Sequence, residues 1–368
     1  MRLKWWLLAL CVAGLAAFAL LRPCLAPAGQ VAVASPYKVL APIRHGNLTV
    51  FPVVANTTYD THDFLTLDEG LHAGDVVVSE SGTLRPLVRP RHSDIRDPRP
   101  GGGGAQVNQL VLVNNSKRPL ILLAGEIVTG GKQDRVIGKD RLVPAESDPI
   151  DLGVFCVEPG RWTGPKMSFN SLDSAMAQPA VRGRAMADKD QAKVWAEVRN
   201  MQVEVTAGTP SPAAVAALGG GTTSYAQVMQ EPDVKQKVDE VAAPIQHDYQ
   251  SLIKQLRDRN AVGVVVAVNG EIIWADIFAS TNLLEKYWPK LVRSYAAEAI
   301  VSSTRGREAE IKAAQAFLTD LEGRRETVET EPGLYRHTEV TGDGFKAFEL
   351  TSLLPKTGFD LHVAKMTE

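Results

Sequence analysis

LILLAGEIVTGGKQDRVIGKDRLVPAESDPIDLGVFCVEPGRW, running from Leu120 to Trp162, sets polar clusters directly after short apolar runs more densely than any other stretch. Leu120 to Ala124 is one such run, closed by Gly125-Glu126. Gly130-Gly131 frees the backbone for a tight turn and delivers Lys132, Gln133, Asp134 and Arg135. Val136-Ile137, Leu142-Val143 and Val154 to Val157 continue as short β-branched runs, the pattern of strands separated by turns. Cys156 and Glu158 lie two residues apart and so share one face of the last strand. Pro159-Gly160 then turns the chain and places Arg161 and Trp162 at the strand end.

Strand patterns extend outward from this stretch. Val107 to Val113 and Leu120 to Ala124 flank turn-forming residues 114–119, a hairpin pattern. Leu48 to Val53 and Val76 to Glu80 read as further strands, and Phe64 to Leu71 as a strand end entering a short helix. Residues 85–105, rich in Arg, Pro and Gly, read as a solvated loop. Helical periodicity takes over in the second half: Ala192, Trp195, Val198 and Met201 repeat at helical spacing, with Asp188 as cap. A mobile loop is expected over 206–224 and a long helix over 232–257, divided or bent at Pro244. Val262 to Val268, Asn269-Gly270 and Glu271 to Phe278 form the clearest hairpin, since Asn-Gly suits a two-residue turn with positive φ. Both strands are almost wholly apolar, which predicts burial on both faces. Helices are expected over 283–300 and 307–322, and three short strands over 335–340, 345–350 and 359–365.

The chain has 368 residues, 45% hydrophobic and 22% charged, enough for one large domain or two modest ones. Its net charge of −2 gives no electrostatic reason to expect a nucleic-acid partner. Arg2 and Lys4 precede the apolar run Trp5 to Leu21, with small residues at Ala26-Pro27-Ala28. Residues 1–28 therefore read as a secretory signal peptide, or alternatively as an uncleaved membrane anchor that tethers an extracytoplasmic (periplasmic or secreted) domain. Of Cys11, Cys24 and Cys156, only Cys156 belongs to the folded part, so no internal disulfide framework is expected. The seven histidines are scattered without metal-ligand spacing, so neither a metal site nor a cofactor is expected.

Each polar cluster has a functional and a structural reading. Glu126 at a strand end suits a general base or a carboxylate that holds Arg135 or Arg161 in an ion pair. Lys132, Gln133 and Arg135 after Gly-Gly suit an anion, though the spacing is not that of a phosphate-binding P-loop. Cys156 beside Arg161 could be an activated nucleophile, but no histidine base lies near in sequence, so a buried inert thiol is the better reading. Gln191 and Trp195, one helical turn apart, could meet the same place, with Trp195 more readily core.

Taken together, Gly125-Glu126, Gly130-Gly131-Lys132-Gln133 with Arg135, Cys156-Val157-Glu158 with Gly160-Arg161-Trp162, and Gln191 with Val194-Trp195 resemble the ARPP-type domain, the ARG and Rhodanese-Phosphatase-superfamily-associated Protein domain. The resemblance runs from Leu48 to about Ile300 and includes Leu65 to Leu71, Val262-Gly263 and Asp276-Ile277-Phe278. It implies a domain and no activity. The chain also departs from a thiol-phosphatase loop, because only four residues separate Cys156 from Arg161.

These readings predict an α+β fold with a β-rich N-terminal half, helices packed on it in the C-terminal half, and a short β-rich tail. The ARPP-type domain is expected over 36–302, with 303–368 as an appended helix and three-strand extension. Glu126, Lys132, Gln133, Arg135, Glu158, Arg161 and Trp162 are expected to line a cleft for a small anionic or planar ligand. A hydrolase with Glu126 or Glu158 as catalytic general base is the alternative, and a structural or interaction protein with a buried polar network is the third.

Overall fold

The computed structural model describes residues 36–81, 108–160, 168–208, 211–212, 215–216, 222–255, 260–302 and 308–368, with backbone alone at 171–175 and 328–330. The N-terminal apolar segment, the 85–105 loop and most of the stretch before Thr222 lie outside these residues. Among the described residues no helix is long and apolar enough to cross a membrane.

In chain order the strands and helices are β1 (Tyr37–Val39), β2 (Ile43–His45), β3 (Leu48–Ala55), β4 (Leu65–Thr66), α1 (Leu67–Ala73), β5 (Val76–Glu80), β6 (Gln109–Asn114), β7 (Leu120–Leu122), β8 (Glu126–Gly130), β9 (Arg135–Ile137), β10 (Arg141–Val143), β11 (Ile150–Cys156) and β12 (Ser168–Met176). Then come α2 (Pro179–Gly183), a π-helical turn (Arg184–Asp188), α3 (Gln191–Ala207), α4 (Tyr225–Gln230) and α5 (Pro232–Gln255). The hairpin β13 (Asn260–Val268) and β14 (Glu271–Phe278) precedes α6 (Thr281–Val301), α7 (Ile311–Thr319), β15 (Gly323–Glu331), β16 (Tyr335–Gly342), β17 (Phe345–Ser352) and β18 (Asp360–Thr367). The fold is α+β, as the sequence pattern predicts.

Six strands close a barrel in the order β11-β6-β5-β12-β8-β9. Alternation along each strand divides its two faces. Val76, Val78, Leu110, Leu112, Val128, Ile137, Leu152 and Val154 pack together in one core. The intervening Ile127 and Val136 pack instead with Val181, Val194, Val198 and Met201 of α2 and α3.

The second layer is a nine-stranded sheet in the order β1-β3-β13-β14-β18-β17-β16-β15, with β2 added beside β3. Its centre is the predicted hairpin, where Asn269 and Gly270 adopt φ of 55° and 83°. Val264, Val266 and Val268 pack against α5 and α6 through Ile245, Leu284 and Leu291. Val265 and Ala267 pack on the opposite face against Ala314 and Leu318 of α7. Both faces are buried, so the strands have no solvent side to make polar.

Three expectations are corrected, and that for Pro244 is narrowed by the absence of a division. Residues 308–368 are not an appended extension: β18 pairs with β14 over Trp274↔Met366 to Phe278↔His362, making the tail strands part of the main sheet. A fourth strand, β15, joins them. Pro244 lies inside α5 without ending it, because Val234, Val238, Ala242, Ile245 and Tyr249 bury a continuous stripe that outweighs one lost hydrogen bond. The cap of α3 is Asp190, which accepts from the Ala192 and Lys193 amides, and not Asp188.

Candidate functional site

Of the polar residues that the sequence singles out, one end of the barrel brings together Lys132, Gln133, Arg135 and Glu158. β5 ends at Glu80, β8 at Gly130 and β11 at Cys156, while β9 begins at Arg135 and β12 at Ser168. The antiparallel pairing of β9 with β11 sets Arg135 directly opposite Cys156. The two clusters, twenty positions apart in the chain, are therefore joined backbone to backbone.

The loop from Gly131 to Asp134 is held by side chains that accept from its amides. Glu80 Oε1 accepts from Lys132 N at 2.7 Å, and Glu158 Oε2 accepts from Asp134 N at 3.1 Å. Asp134 Oδ1 accepts from Gly130 N at 3.2 Å, and its Oδ2 accepts from the Ser224 hydroxyl at 2.7 Å. Gly131 is required here: φ is 50°, and a Cβ would meet the Phe169 ring and Glu80 Oε1. Gln133 donates from Nε2 to the Glu158 carbonyl at 3.1 Å. Its Oε1 is buried and has no hydrogen-bond partner among the described residues.

Arg135 is fully buried, and burial pulls its guanidinium below the ordinary pKa while Cys156, Glu80, Asp134 and Glu158 oppose that shift. Burial likewise raises the Cys156 thiol above its ordinary value, despite the Glu158 amide directed at Sγ and the nearby Arg135. Gln191 brackets the same residue, accepting from Cys156 N at 2.8 Å and donating to Cys156 O at 2.9 Å. Trp195 is half-buried and not part of the core, since α3 turns Val194, Val198, Met201 and Val205 inward. Lys132 is half-buried at the edge of the cluster, and Arg161 and Trp162 lie outside the described residues.

Glu126 belongs to a different place. Its ion pair is with Lys290 of α6, at 2.5 Å, and not with Arg135. It also accepts from Leu123 N at 2.7 Å, and Lys290 reaches Asp68 of α1 at 2.7 Å. Burial lifts the Glu126 carboxyl above its ordinary pKa against the pull of Lys290, and Lys290 is held charged because Glu126 and Asp68 outweigh its own burial.

A second buried network escapes local sequence patterns. Asp140 Oδ2 meets His362 Nδ1 at 2.5 Å, and His362 Nε2 meets Asp276 Oδ1 at 3.0 Å. Asp276 also receives both Arg182 Nη atoms at 3.0 Å and the Tyr295 hydroxyl. Arg182 lies over the Trp274 ring and donates from Nε to Ala124 O. Gly125 makes room for it: at φ 95°, a Cβ would stand 2.5 Å from Arg182 Cγ. An aspartate inside the apolar run 271–278 was the one sequence signal for this network, because an unpaired buried charge is not tolerated.

Among the described residues, no group of three or more His, Cys, Asp or Glu side chains could hold a metal ion. No curated protein and no solved structure matches the chain. The model of the ARG and Rhodanese-Phosphatase-superfamily-associated Protein domain matches residues 36–364, so the family's pattern includes the tail strands as the sheet does. With nearly the whole chain matched, the protein belongs to the ARG and Rhodanese-Phosphatase-superfamily-associated Protein domain family.

Proposed function

We propose that this chain is an extracytoplasmic ligand-binding domain, and that the barrel end receives a small anionic or planar ligand. Lys132, Gln133, Arg135 and Glu158 are its binding groups, with Arg161 and Trp162 following directly in the chain. The observation that carries this reading is the buried Gln133 Oε1, which has no hydrogen-bond partner among the described residues although its amide nitrogen is fixed on Glu158. A buried acceptor left unpaired is costly, and a ligand N–H or O–H removes that cost. Arg135 and Lys132 supply the positive charge for an adjacent anionic group. The extracytoplasmic placement rests on the apolar segment Trp5 to Leu21 behind Arg2 and Lys4.

Against the hydrolase alternative stands the enclosure of Glu126 by Lys290 and the Leu123 amide. That enclosure favours a structural role for Glu126 and leaves Glu158 as the residue on which catalysis would depend. The test is thermal denaturation of the protein against hydroxy acids, amino acids and aromatic carboxylates, beside Gln133→Ala and Glu158→Gln variants. The reading predicts a saturable rise in Tm for the wild type that both variants lose. A rise preserved in both variants would refute it.

A further inference from the structure

A cavity of about 350 Å³ lies between α2, the π-helical turn, the C-terminal end of α6 and one end of β14, β17 and β18. It shares no lining residue with the barrel-end cluster. Ala187, Ile273, Trp274 and Met366 give it an apolar wall. Four of its charged lining residues pair among themselves: Arg184 with Asp188 at 3.1 Å, and Lys346 with Glu368 at 3.4 Å. Arg184 also reaches Glu197 and Lys193 reaches Asp188, so that network holds two acids and two bases.

Glu298 is the exception. It lines the same cavity half-buried, and no Lys, Arg or His among the described residues pairs with it. Its Oε2 accepts from Ala180 N at 2.9 Å, and the neutral Gln178 amide stands beside it. Burial raises its carboxyl to about 7, with Glu197 adding to the rise and the Ala180 amide and Gln178 opposing it. The bond to the start of α2 satisfies one oxygen and leaves the charge without a counter-ion. A cation inside the cavity supplies one. A metal ion would find a single unpaired carboxylate there and leave the apolar wall uncovered. A protonated amine on a short carbon chain uses both features, its N–H groups meeting the carboxylate in charge-assisted bonds and its chain covering the wall.

We propose that this cavity binds a small primary amine in its ammonium form, with Glu298 as counter-ion and Ala187, Ile273, Trp274 and Met366 against its carbon chain. The site is independent of the barrel-end reading, since neither uses a residue of the other.

The proposal is tested by isothermal titration calorimetry of the full-length chain in phosphate buffer at pH 8, with butylammonium and benzylammonium, and with potassium and butanol at matched ionic strength. At least one amine should bind saturably, and potassium and butanol should not. Glu298→Gln keeps an acceptor for Ala180 N, and should weaken amine binding by roughly tenfold or more with Tm no lower than that of the wild type. The wild-type affinity should itself fall about tenfold from pH 8 to pH 6, as Glu298 takes up its proton. Arg184, raised, and Asp188, lowered, stay charged over that range; Glu197, Lys346 and Glu368 are the other charged groups around the cavity. No saturable heat with either amine, an equal response to potassium or butanol, unchanged affinity in Glu298→Gln, or a wild-type affinity level between pH 8 and pH 6 would each overturn it.

Discussion

Arg182 and Asp276 form a bidentate pair with no side-chain exposure on either partner, each of the two contacts 3.0 Å long. The pair links α2 to the central hairpin of the sheet, and His362 extends it to Asp140 beside the barrel strands. Burial opposes the charge on each member, but Arg182 and His362 hold Asp276 far below the ordinary carboxylate range, and Asp276 holds Arg182 above its own.

Removing one member should therefore cost more than any surface ion pair. Asp276→Asn leaves Arg182 and His362 facing each other without their shared counter-charge, and should destabilise the fold by roughly 3–5 kcal/mol. Urea unfolding followed by tryptophan fluorescence measures this. A loss below about 1 kcal/mol, the scale of an exposed pair, would contradict the buried network.

The same network predicts the alkaline limit of stability. Burial works against the charged His362 ring, yet Asp140 and then Asp276 outweigh it and raise the pKa from 6.5 to about 9. The folded state thus keeps a proton that the unfolded chain has already released. Its stabilisation is complete below about pH 6.5 and is lost as pH rises through about 9, amounting to at most roughly 3 kcal/mol. Asp140 and Asp276, both depressed, act with the opposite sign and lose their contribution on acidification below the ordinary carboxylate range. Unfolding free energies between pH 6.5 and 8 should fall more steeply in the wild type than in His362→Gln, in which Glu298, raised to about 7, and Lys365, lowered to about 8, still titrate. Parallel slopes in the two proteins would contradict the assignment.

Glu126→Gln separates structure from catalysis. Lys290 would keep Asp68 but lose its buried partner, so stability should fall by roughly 3 kcal/mol. Replacing Glu126 and Lys290 together with Gln and Met should recover much of that loss, as for other buried pairs exchanged for neutral groups. Chemical denaturation of the single and double variants decides it. A single variant as stable as the wild type would remove the ion-pair account.

Cys156 should be inert in the folded protein. It is fully buried, and burial raises its thiol pKa, so little thiolate is available to attack. Iodoacetamide at pH 8, with peptide mapping to distinguish Cys156 from Cys11 and Cys24, should label it only when urea is present. Fast labelling of Cys156 in the native protein would revive the nucleophile reading.

What the sequence discloses here is local. Asn269-Gly270 between two β-branched runs announces its hairpin, because the turn chemistry and both strands lie within 17 residues, Val262 to Phe278. Gly130-Gly131 announces the turn that brings Gln133 back toward Glu158, though not the partner strand. Barrel closure is invisible because it depends on pairings such as β12 with β5, whose strands are far apart in the chain. The same holds for ion pairs: Glu126 finds Lys290 across 164 positions and Arg182 finds Asp276 across 94, distances at which no spacing rule operates. Arg135 was a plausible partner for Glu126 only because it was near in sequence. The tail misled for a related reason, since three short alternating strands look self-contained until β18 is seen to pair with β14.

The account turns on Gln133. An experimental structure of the native full-length protein, taken without exchange of whatever it carries from its source, examines that residue directly. The account predicts a non-protein molecule donating a hydrogen bond to Gln133 Oε1 with its anionic group toward Arg135 or Lys132. Gln133 Oε1 bonded instead to a donor from the protein itself, with no space beside it, would contradict it.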